Sequence, residues 1–249
     1  MATPFGALLR DWRNDRGKTQ LELSIDAQTT TRHLSFLETG RSRPTEAMVL
    51  RLSDALEVPL RDRNRLLAAA GLSPVYENEP LEANRYEPVR GAMADLLAAH
   101  EPYPAMVLSD DHMVVAANRG SERMLGGDFT GRNMLDAYLS GETPPIANWE
   151  DVAPALAGQT RAALARNPGD ERLRAAVDQM EQAIGRETVG RPRTLVACPW
   201  FTIGGQVIKT LILAARFDHP LDVTVEELRI ELVYPIDDES KAFFEKSPA

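Results

Sequence analysis

The sequence has little cysteine and no long apolar run. One cysteine, Cys198, stands among 249 residues, which excludes an intrachain disulfide framework and fits a reducing compartment. No stretch approaches the ~18 apolar residues that a membrane-spanning helix needs. The first residues also lack the basic and apolar regions of a signal peptide. We therefore expect a cytoplasmic protein that does not associate with a membrane.

Signatures of catalysis and metal binding are missing as well. His100, His112 and His219 are scattered, with no pair at i, i+4 and no carboxylate at a metal-ligand spacing. No glycine-rich phosphate loop occurs, and no Cys/His nucleophile signature surrounds Cys198. We expect neither an enzyme nor a resident metal or cofactor. An enzyme of unrecognised type remains an alternative that no motif supports.

Length and charge divide the chain. A chain of 249 residues favours two domains over one. Residues 1–72 hold 11 Lys and Arg against 9 Asp and Glu, a net charge of +2, and the remainder carries −11 of the total −9. Phosphate would repel so acidic a remainder, so any contact with nucleic acid is expected in the N-terminal part.

Two short helical patterns lie between Gly17 and Pro44, separated by a polar corner. Thr19 suits the N-cap of the first helix, and the second helix starts near Thr29 or Thr30. The second helix carries leucines three residues apart on one face, and a glycine ends it.

These residues resemble the helix-turn-helix of the xenobiotic-response-element (Cro/cI-type) repressors, over about residues 4 to 72. The resemblance implies five helices, with Arg13 and Glu38 paired so that the first helix is held onto the third. Gln28 stands where the family often has glycine. The matching residues are Thr19-Gln20, Glu22-Leu23, Thr29-Thr30-Thr31 and Leu37-Glu38-Thr39-Gly40-Arg41 with Pro44 after it.

A helix in the major groove needs short polar or forked side chains near its N-terminus, where base edges offer hydrogen bonds. Arg32 can fork to guanine, and Thr31 can contact a thymine methyl group. Gln20 at a helix start suits a phosphate. The alternative is that these side chains cover a solvated helical bundle. The predicted contacts with a double-stranded operator are Gln20, Thr30, Thr31, Arg32, His33, Ser35, Arg41 and Arg43.

The second half of the chain changes to a strand period. Pro104–Ser109 and His112–Ala117 predict two strands joined by a turn, followed by Asn118 and a short helix. Residues 73–88 are rich in proline and acidic groups and predict a linker. Further predicted helices are 89–99, 149–166 and 170–184, and further predicted strands are 194–197, 200–203, 207–216 and 228–235.

The strand–turn–strand–Asn–helix opening resembles a PAS sensor domain. The segment also resembles the MmyB-like ligand-binding domain of actinobacterial-type regulators over about residues 90 to 235. The matches are Tyr103-Pro104, Val114 to Leu125, Asn148-Trp149-Glu150, Arg161 and Asn167 to Met180. The resemblance implies an α+β, PAS-like domain with an antiparallel sheet over residues 89–249, which holds a fatty acyl or similar apolar ligand.

A ligand pocket needs an apolar lining with few polar anchors. Five of the eight methionines lie between Met106 and Met180, and Arg161 is a candidate partner for a carboxylate. The alternative is that such residues have only structural roles, as core, cap or solvated positions. The candidate ligand contacts are Asn118, Met124, Trp149, Arg161, Met180 and Trp200.

Together these patterns predict a sequence-specific transcriptional regulator that binds DNA as a homodimer and senses a small apolar molecule. Two alternatives stay open for the C-terminal domain. Its only role is dimerisation, or it binds a protein partner.

Overall fold

The computed structural model describes residues 3–166, 171–184 and 196–246. The chain forms two compact units. The helical unit comprises Met1–Pro80 with His219–Glu226, and the mixed unit comprises Leu81–Asp218 with Glu227–Ala249.

The helices are α1 (Pro4–Asp15), α2 (Gln20–Asp26), α3 (Thr31–Glu38), α4 (Glu46–Ala55), α5 (Leu60–Ala69), α6 (Glu87–Ala99), α7 (Arg119–Leu125), α8 (Met134–Ser140), α9 (Trp149–Arg166), α10 (Glu171–Ile184), α11 (Val223–Glu226) and α12 (Asp238–Glu245). The strands are β1 (Ala105–Leu108), β2 (Val114–Ala117), β3 (Phe201–Ile203), β4 (Gln206–Ile208), β5 (Thr210–Ala215) and β6 (Arg229–Pro235). Within the described ranges, no helix combines the length and the hydropathy needed to cross a bilayer.

A threonine directly precedes each of the first four helices. Its hydroxyl accepts a hydrogen bond from a backbone N–H of the first turn, which would otherwise be left without a partner. Thr19 also forms a reciprocal capping box with Glu22. The predicted N-cap Thr19 and the predicted start of α3 near Thr29 or Thr30 are confirmed.

The corner between α2 and α3 uses a left-handed residue. Gln28 adopts a φ of 51°, a conformation that favours glycine. The N–H of Thr29 donates to the carbonyl of Ser24 at 2.8 Å and closes the turn. Gln28 therefore occupies the strained position that glycine often fills in the resembling family.

The first helix lies close to the end of the third. A Cβ placed on Gly6 would stand 2.5 Å from the carbonyl oxygen of Glu38, so no side chain fits there. Phe5 and Leu9 of α1 share one buried core with Leu34 and Leu37 of α3.

The carboxylate of Glu38 lies at the centre of a polar cluster and is only 1% exposed. Arg13 Nε donates to Glu38 Oε1 at 2.7 Å, and Gln20 Nε2 donates to Oε2 at 2.8 Å. Arg10 Nε lies 3.5 Å from Oε2. The predicted Arg13–Glu38 pair is confirmed, and Gln20 adds a helix that the sequence did not assign to the cluster.

Chain beyond the fifth helix also belongs to the helical unit. Asn64 of α5 accepts hydrogen bonds from the backbone N–H groups of Val75 and Tyr76 at 3.0 and 3.1 Å. The segment 219–226 contributes α11, whose Val223 is fully buried.

The residues of the predicted 73–88 linker are divided between the two units. Residues 73–80 follow α5, and residues 81–88 join the mixed unit, where Arg90 donates to the carbonyls of Leu81 and Ala83 at 2.6 and 2.9 Å.

The mixed unit contains a four-stranded antiparallel sheet in the order β2-β1-β6-β5. Side chains alternate between its faces. Met106 and Leu108 of β1 face a core that includes Phe201 and Phe244. The alternate residues of β1 pack in a second cluster with Met93 and Leu97 of α6.

A buried asparagine joins the first strand to the helix that follows the second. Asn118 Oδ1 accepts from the N–H groups of Ala105 and Ser121 at 2.9 and 3.0 Å. Asn118 Nδ2 donates to the carbonyls of Leu97 and Tyr103 at 3.1 and 2.8 Å. This amide therefore has a structural role as the cap of α7.

Two strand predictions require correction. The predicted strand 207–216 is two strands, because β4 pairs with β3 while β5 pairs with β6. Lys209 between them donates its backbone N–H to Ser240 Oγ at 2.8 Å. For the predicted strand 194–197, the first two residues lie outside the described residues and the last two are not in a strand. Helices α8, α11 and α12 were not predicted.

Other predictions are confirmed. Helix α9 has the predicted bounds, and β1, β2, β3 and β6 lie within their predicted ranges. Gly204 and Gly205 form the hairpin turn between β3 and β4, both with positive φ.

Gly6→Ala should destabilise the helical unit, because the new methyl group would force α1 away from the α3 carbonyls. Overpacking of this kind costs about 1–3 kcal/mol. Hydrogen exchange of the α1 and α3 amides in the full chain measures the change. Ala7→Gly, one residue along and exposed, is the matched control and should cost about 0.5–1 kcal/mol through helix propensity alone. Equal effects of the two variants would contradict the close approach.

Stability of the helical unit should fall in acid through Glu38. Burial alone would raise the pKa of Glu38, but hydrogen bonds from Arg13 and Gln20 and the charges of Arg13 and Arg10 outweigh burial and lower it. A carboxyl with a lowered pKa stabilises the fold above its unfolded pKa, here near 4.5, and this contribution is lost as the pH falls through the folded pKa.

Glu38→Gln should therefore lower the free energy of unfolding at pH 7 and lose that penalty progressively below pH 4.5, the ordinary value for this carboxyl. Exchange rates of the α3 amides at a series of pH values provide the measurement. A penalty that stayed constant into strong acid would show that the charge of Glu38 has no part in it.

Candidate DNA-binding face and ligand cavity

Arginines surround an aromatic ring on the exposed side of α3. Arg32 is the second residue of the helix, and its guanidinium carbon lies 5.4 Å from the centre of the Phe36 ring. Arg41, just after the helix, lies 5.9 Å from the same ring. Arg43 follows in the connection to α4 and is exposed. We call Arg32, Phe36, Arg41 and Arg43 the arginine face.

The arginine face holds cations that the fold does not use. Within residues 3–80, the structure gives neither a hydrogen bond nor an ion pair to Arg32, Arg41, Arg43 or Arg51. The other Lys and Arg side chains of this range bind carboxylates, amides or backbone carbonyls. They are Arg10, Arg13, Arg16, Lys18, Arg61, Arg63 and Arg65.

Several predicted DNA contacts serve the fold with their polar atoms. The Gln20 amide donates to Glu38. Thr30 Oγ1 accepts from the N–H of His33 as the cap of α3. Thr31 Oγ1 lies 3.1 Å from Ser24 Oγ. Ser35 is half-buried on the same helix.

Phe36 was not among the predicted residues. The signal was present, because an aromatic residue four positions after Arg32 shares its helix face. Such a ring attracts a guanidinium placed over it. Phe36 therefore orients two of the arginines that the sequence had identified only by their charge.

The mixed unit encloses a cavity of about 200 Å³ on the inner face of its sheet. Its walls are mostly apolar and come from β5, β6, α8, α9 and the residues before β3. The lining comprises Leu108, His112, Met134, Leu135, Tyr138, Val152, Ala155, Leu156, Gln159, Val196, Ala197, Cys198, Pro199, Ile212, Ala214, Arg229 and Glu231.

An ion pair faces this cavity from β6. Arg229 Nη2 lies 2.8 Å from Glu231 Oε1, and the two side chains project from the same face of the strand. Burial raises the pKa of Glu231, and the charge and hydrogen bond of Arg229 offset part of that shift. Burial also raises the pKa of Tyr138, so its phenol stays protonated.

The cavity lining includes Cys198, whose buried thiol is not activated. Burial raises the pKa of Cys198, although the N–H of Ile212 donates to its Sγ at 3.1 Å and acts in the opposite direction. A protonated thiol is a poor nucleophile and a poor metal ligand. Across the described ranges, no three His, Cys, Asp or Glu side chains gather closely enough to hold a metal ion.

The six predicted ligand contacts do not form one site. Met124 and Met180 are buried in two different core clusters. Arg161 is exposed and pairs with Glu181 at 3.2 Å. The Trp200 ring lies 5.8 Å from Lys209 Nζ, and Trp149 begins α9.

None of these five lines the cavity or the groove described next. Asn118 does line that groove, with its amide engaged by backbone groups. The sequence could not place them, because core and pocket residues share one apolar pattern.

A wider groove of about 720 Å³ lies on the other side of the sheet. Its floor includes Met93 and Leu97 of α6 and Val115 and Ala116 of β2. Charged side chains of both signs form its rim: Glu82, Arg90, Glu101, Arg119, Glu122 and Arg123.

Comparison with known proteins gives matches over both units. The family profile described as the MmyB-like transcription regulator ligand binding domain matches residues 89–246. A profile described as a helix-turn-helix domain matches residues 4–66. The comparison with curated proteins found no match.

The solved structures that match part of this chain include a controller protein and a gene regulator. One is the restriction-modification controller protein C.AhdI from Aeromonas hydrophila, at 24% identity, over 24% of this chain and 92% of that chain, with a TM-score of 0.24. The other is the clp gene regulator ClgR from C. glutamicum, at 30% identity, over 28% of this chain and 86% of that chain, with a TM-score of 0.25.

The MmyB-like profile covers more than half of the chain, and the helix-turn-helix profile covers the helices that carry the arginine face. The chain therefore belongs to the MmyB-like transcription regulators, with an N-terminal helix-turn-helix domain and a C-terminal α+β ligand-binding domain.

Proposed function

We propose that the arginine face reads a double-stranded DNA operator. The observation that carries this proposal is the division of the cations, because Arg32, Arg41 and Arg43 make neither a hydrogen bond nor an ion pair within the described residues 3–80. Arg32 lies in the first turn of α3, the part of a recognition helix that contacts base edges. Its guanidinium has the fork that matches guanine O6 and N7. Arg41 and Arg43 suit the phosphates beside the groove.

We propose that two copies of the chain bind two half-sites about one helical turn apart, roughly 34 Å. A single helix-turn-helix of this size contacts too few base pairs for tight, selective binding. The protein would then act as a homodimer in the cytoplasm.

We propose that the cavity of the mixed unit binds a small, mainly apolar molecule. The support is its mainly apolar lining with a few polar groups, among them the Arg229–Glu231 ion pair, which is the usual composition of a ligand site. A volume of about 200 Å³ suits a small molecule or a short acyl chain. A longer fatty acid would require the cavity to enlarge or would suit the 720 Å³ groove better.

The polar pair sets the chemistry of that ligand. A ligand carboxylate would compete with Glu231 for Arg229, and Glu231, whose pKa burial already raises, would take up a proton as it lost its partner. A ligand with a neutral polar group would leave the ion pair intact. Acid ligands should therefore bind with proton uptake and neutral ligands without it.

Arg32→Ala should weaken the preference for the operator, selected with the wild-type chain from a random DNA pool. The expected loss is about 1–3 kcal/mol on the operator and much less on unrelated DNA. Arg85→Ala is the matched control, because Arg85 also lies 5.4 Å from an aromatic ring but belongs to the mixed unit. Equal losses on both DNAs would mean that Arg32 supplies charge and not base recognition.

The same titrations over a range of salt concentrations test the phosphate contacts. Affinity should fall steeply with salt, and Arg43→Ala should reduce the slope of log K against log salt by about 1.

Mass spectrometry of the purified full chain, native and after extraction with organic solvent, should identify one bound apolar molecule per chain. Ala155→Phe, which fills the cavity, should remove it, whereas Ala94→Trp, at an exposed groove position, should retain it. The reverse pattern would move the ligand to the groove. An empty wild-type chain would contradict the ligand proposal and favour a domain that dimerises or binds a protein partner.

A further inference from the structure

Helix α5 differs from α1, α2, α3 and α4 in how it begins. Each of α1 to α4 starts at a threonine that caps its own first turn. The residue before α5 is Pro59, which makes no side-chain cap. The N–H of Leu60 instead donates to Glu226 Oε2 at 2.7 Å, across 166 positions of sequence.

Glu226 belongs to the short segment 219–226, which further contacts hold in place. The N–H of Val223 donates to the carbonyl of Glu77 at 3.0 Å, and Thr224 Oγ1 donates to the carbonyl of Glu79 at 2.7 Å. The Val223 side chain is fully buried. The segment is therefore an integral part of the helical unit and not a surface loop.

The two strands that flank this segment in the chain both line the ligand cavity. Ile212 and Ala214 lie on β5, five or more residues before His219. Arg229 and Glu231 lie on β6, three and five residues after Glu226. Very few residues separate the segment from the end of either strand. A movement of either strand end would therefore also move the segment.

The other end of this path is the DNA-binding helix. Leu66 and Leu67 of α5 lie in the same buried core as Leu34 and Leu37 of α3. Close-packed cores transmit displacement rather than absorb it. A displacement of α5 would therefore also displace α3.

We infer that residues 219–226 are the element through which the state of the cavity changes DNA affinity, with the Glu226 cap of α5 as its contact. This inference rests on the proposed DNA-binding and ligand-binding functions. It requires that the occupied and empty cavity favour different arrangements of the segment, because only differential binding shifts an equilibrium.

A double-mutant cycle in the full chain tests the inference without knowledge of the ligand. Ala155→Phe changes the contents of the cavity, and Glu226→Ala removes the cap. The measured quantity is the Kd for the selected operator in all four combinations. We expect Ala155→Phe alone to change Kd at least about fivefold in either direction. The same substitution should change Kd less than about twofold in the Glu226→Ala background.

Two controls separate coupling from loss of structure. Leu221→Ala alters the most exposed apolar residue of the same segment (82% exposed) and should leave the effect of Ala155→Phe intact. Glu226→Gln keeps an oxygen acceptor for the Leu60 N–H, so Ala155→Phe should again change Kd in this background. If Glu226→Ala abolishes DNA binding by unfolding the unit, Thr224→Val, which removes only the Glu79 contact, replaces it in the cycle.

Hydrogen exchange of the Leu60 amide is a second readout, since Ala155→Phe should change its protection and leave that of the Thr45-capped α4 unchanged. An equal effect of Ala155→Phe with and without the cap would overturn the inference, and so would no effect in either background. Failure of the wild-type chain to select any operator would instead refute the proposed function.

Discussion

A buried carboxylate determines the geometry of the DNA-binding helix. Glu38, at the end of α3, has almost no contact with water, and a carboxylate in that position is costly unless charged and hydrogen-bonding partners surround it. Arg13 from α1 and Gln20 from α2 supply those partners. One side chain therefore joins three helices, and the exposed side of α3 is set relative to α1 and α2 as a consequence.

This requirement also divides the cations of the helical unit into two groups. Arginines and the lysine near helix ends bind carboxylates and backbone carbonyls and so stabilise the fold. Arg32, Arg41, Arg43 and Arg51 make neither a hydrogen bond nor an ion pair within the described residues 3–80, and Phe36 contacts the first two. A net charge of only +2 over residues 1–72 thus includes arginines that the fold does not pair with acidic groups. Acidic and basic residues cancel in the sum but not in space.

In the mixed unit, a buried neutral amide joins several elements of the fold. In the helical unit, a buried carboxylate has that role. Asn118 binds four backbone groups from α6, the chain before β1, β1 and α7. The same residue also lines the groove of about 720 Å³. The ion-paired groups of the smaller cavity, Arg229 and Glu231, come from the last strand, next to the segment that returns to the helical unit.

The sequence by itself determined the local structure: the threonine caps, the glycine turns, most helix bounds and the pairing of β1 with β2. These depend on residues within a few positions of one another, so short patterns record them. Tertiary structure alone decided which arginines of the described helical unit make no hydrogen bond or ion pair, and that Gln20 and Asn118 serve the fold. It also decided which residues line the cavity, and that Glu226 caps α5 from 166 positions away. Those outcomes depend on packing between distant segments, and an apolar or charged residue reads the same in sequence whichever neighbour it meets.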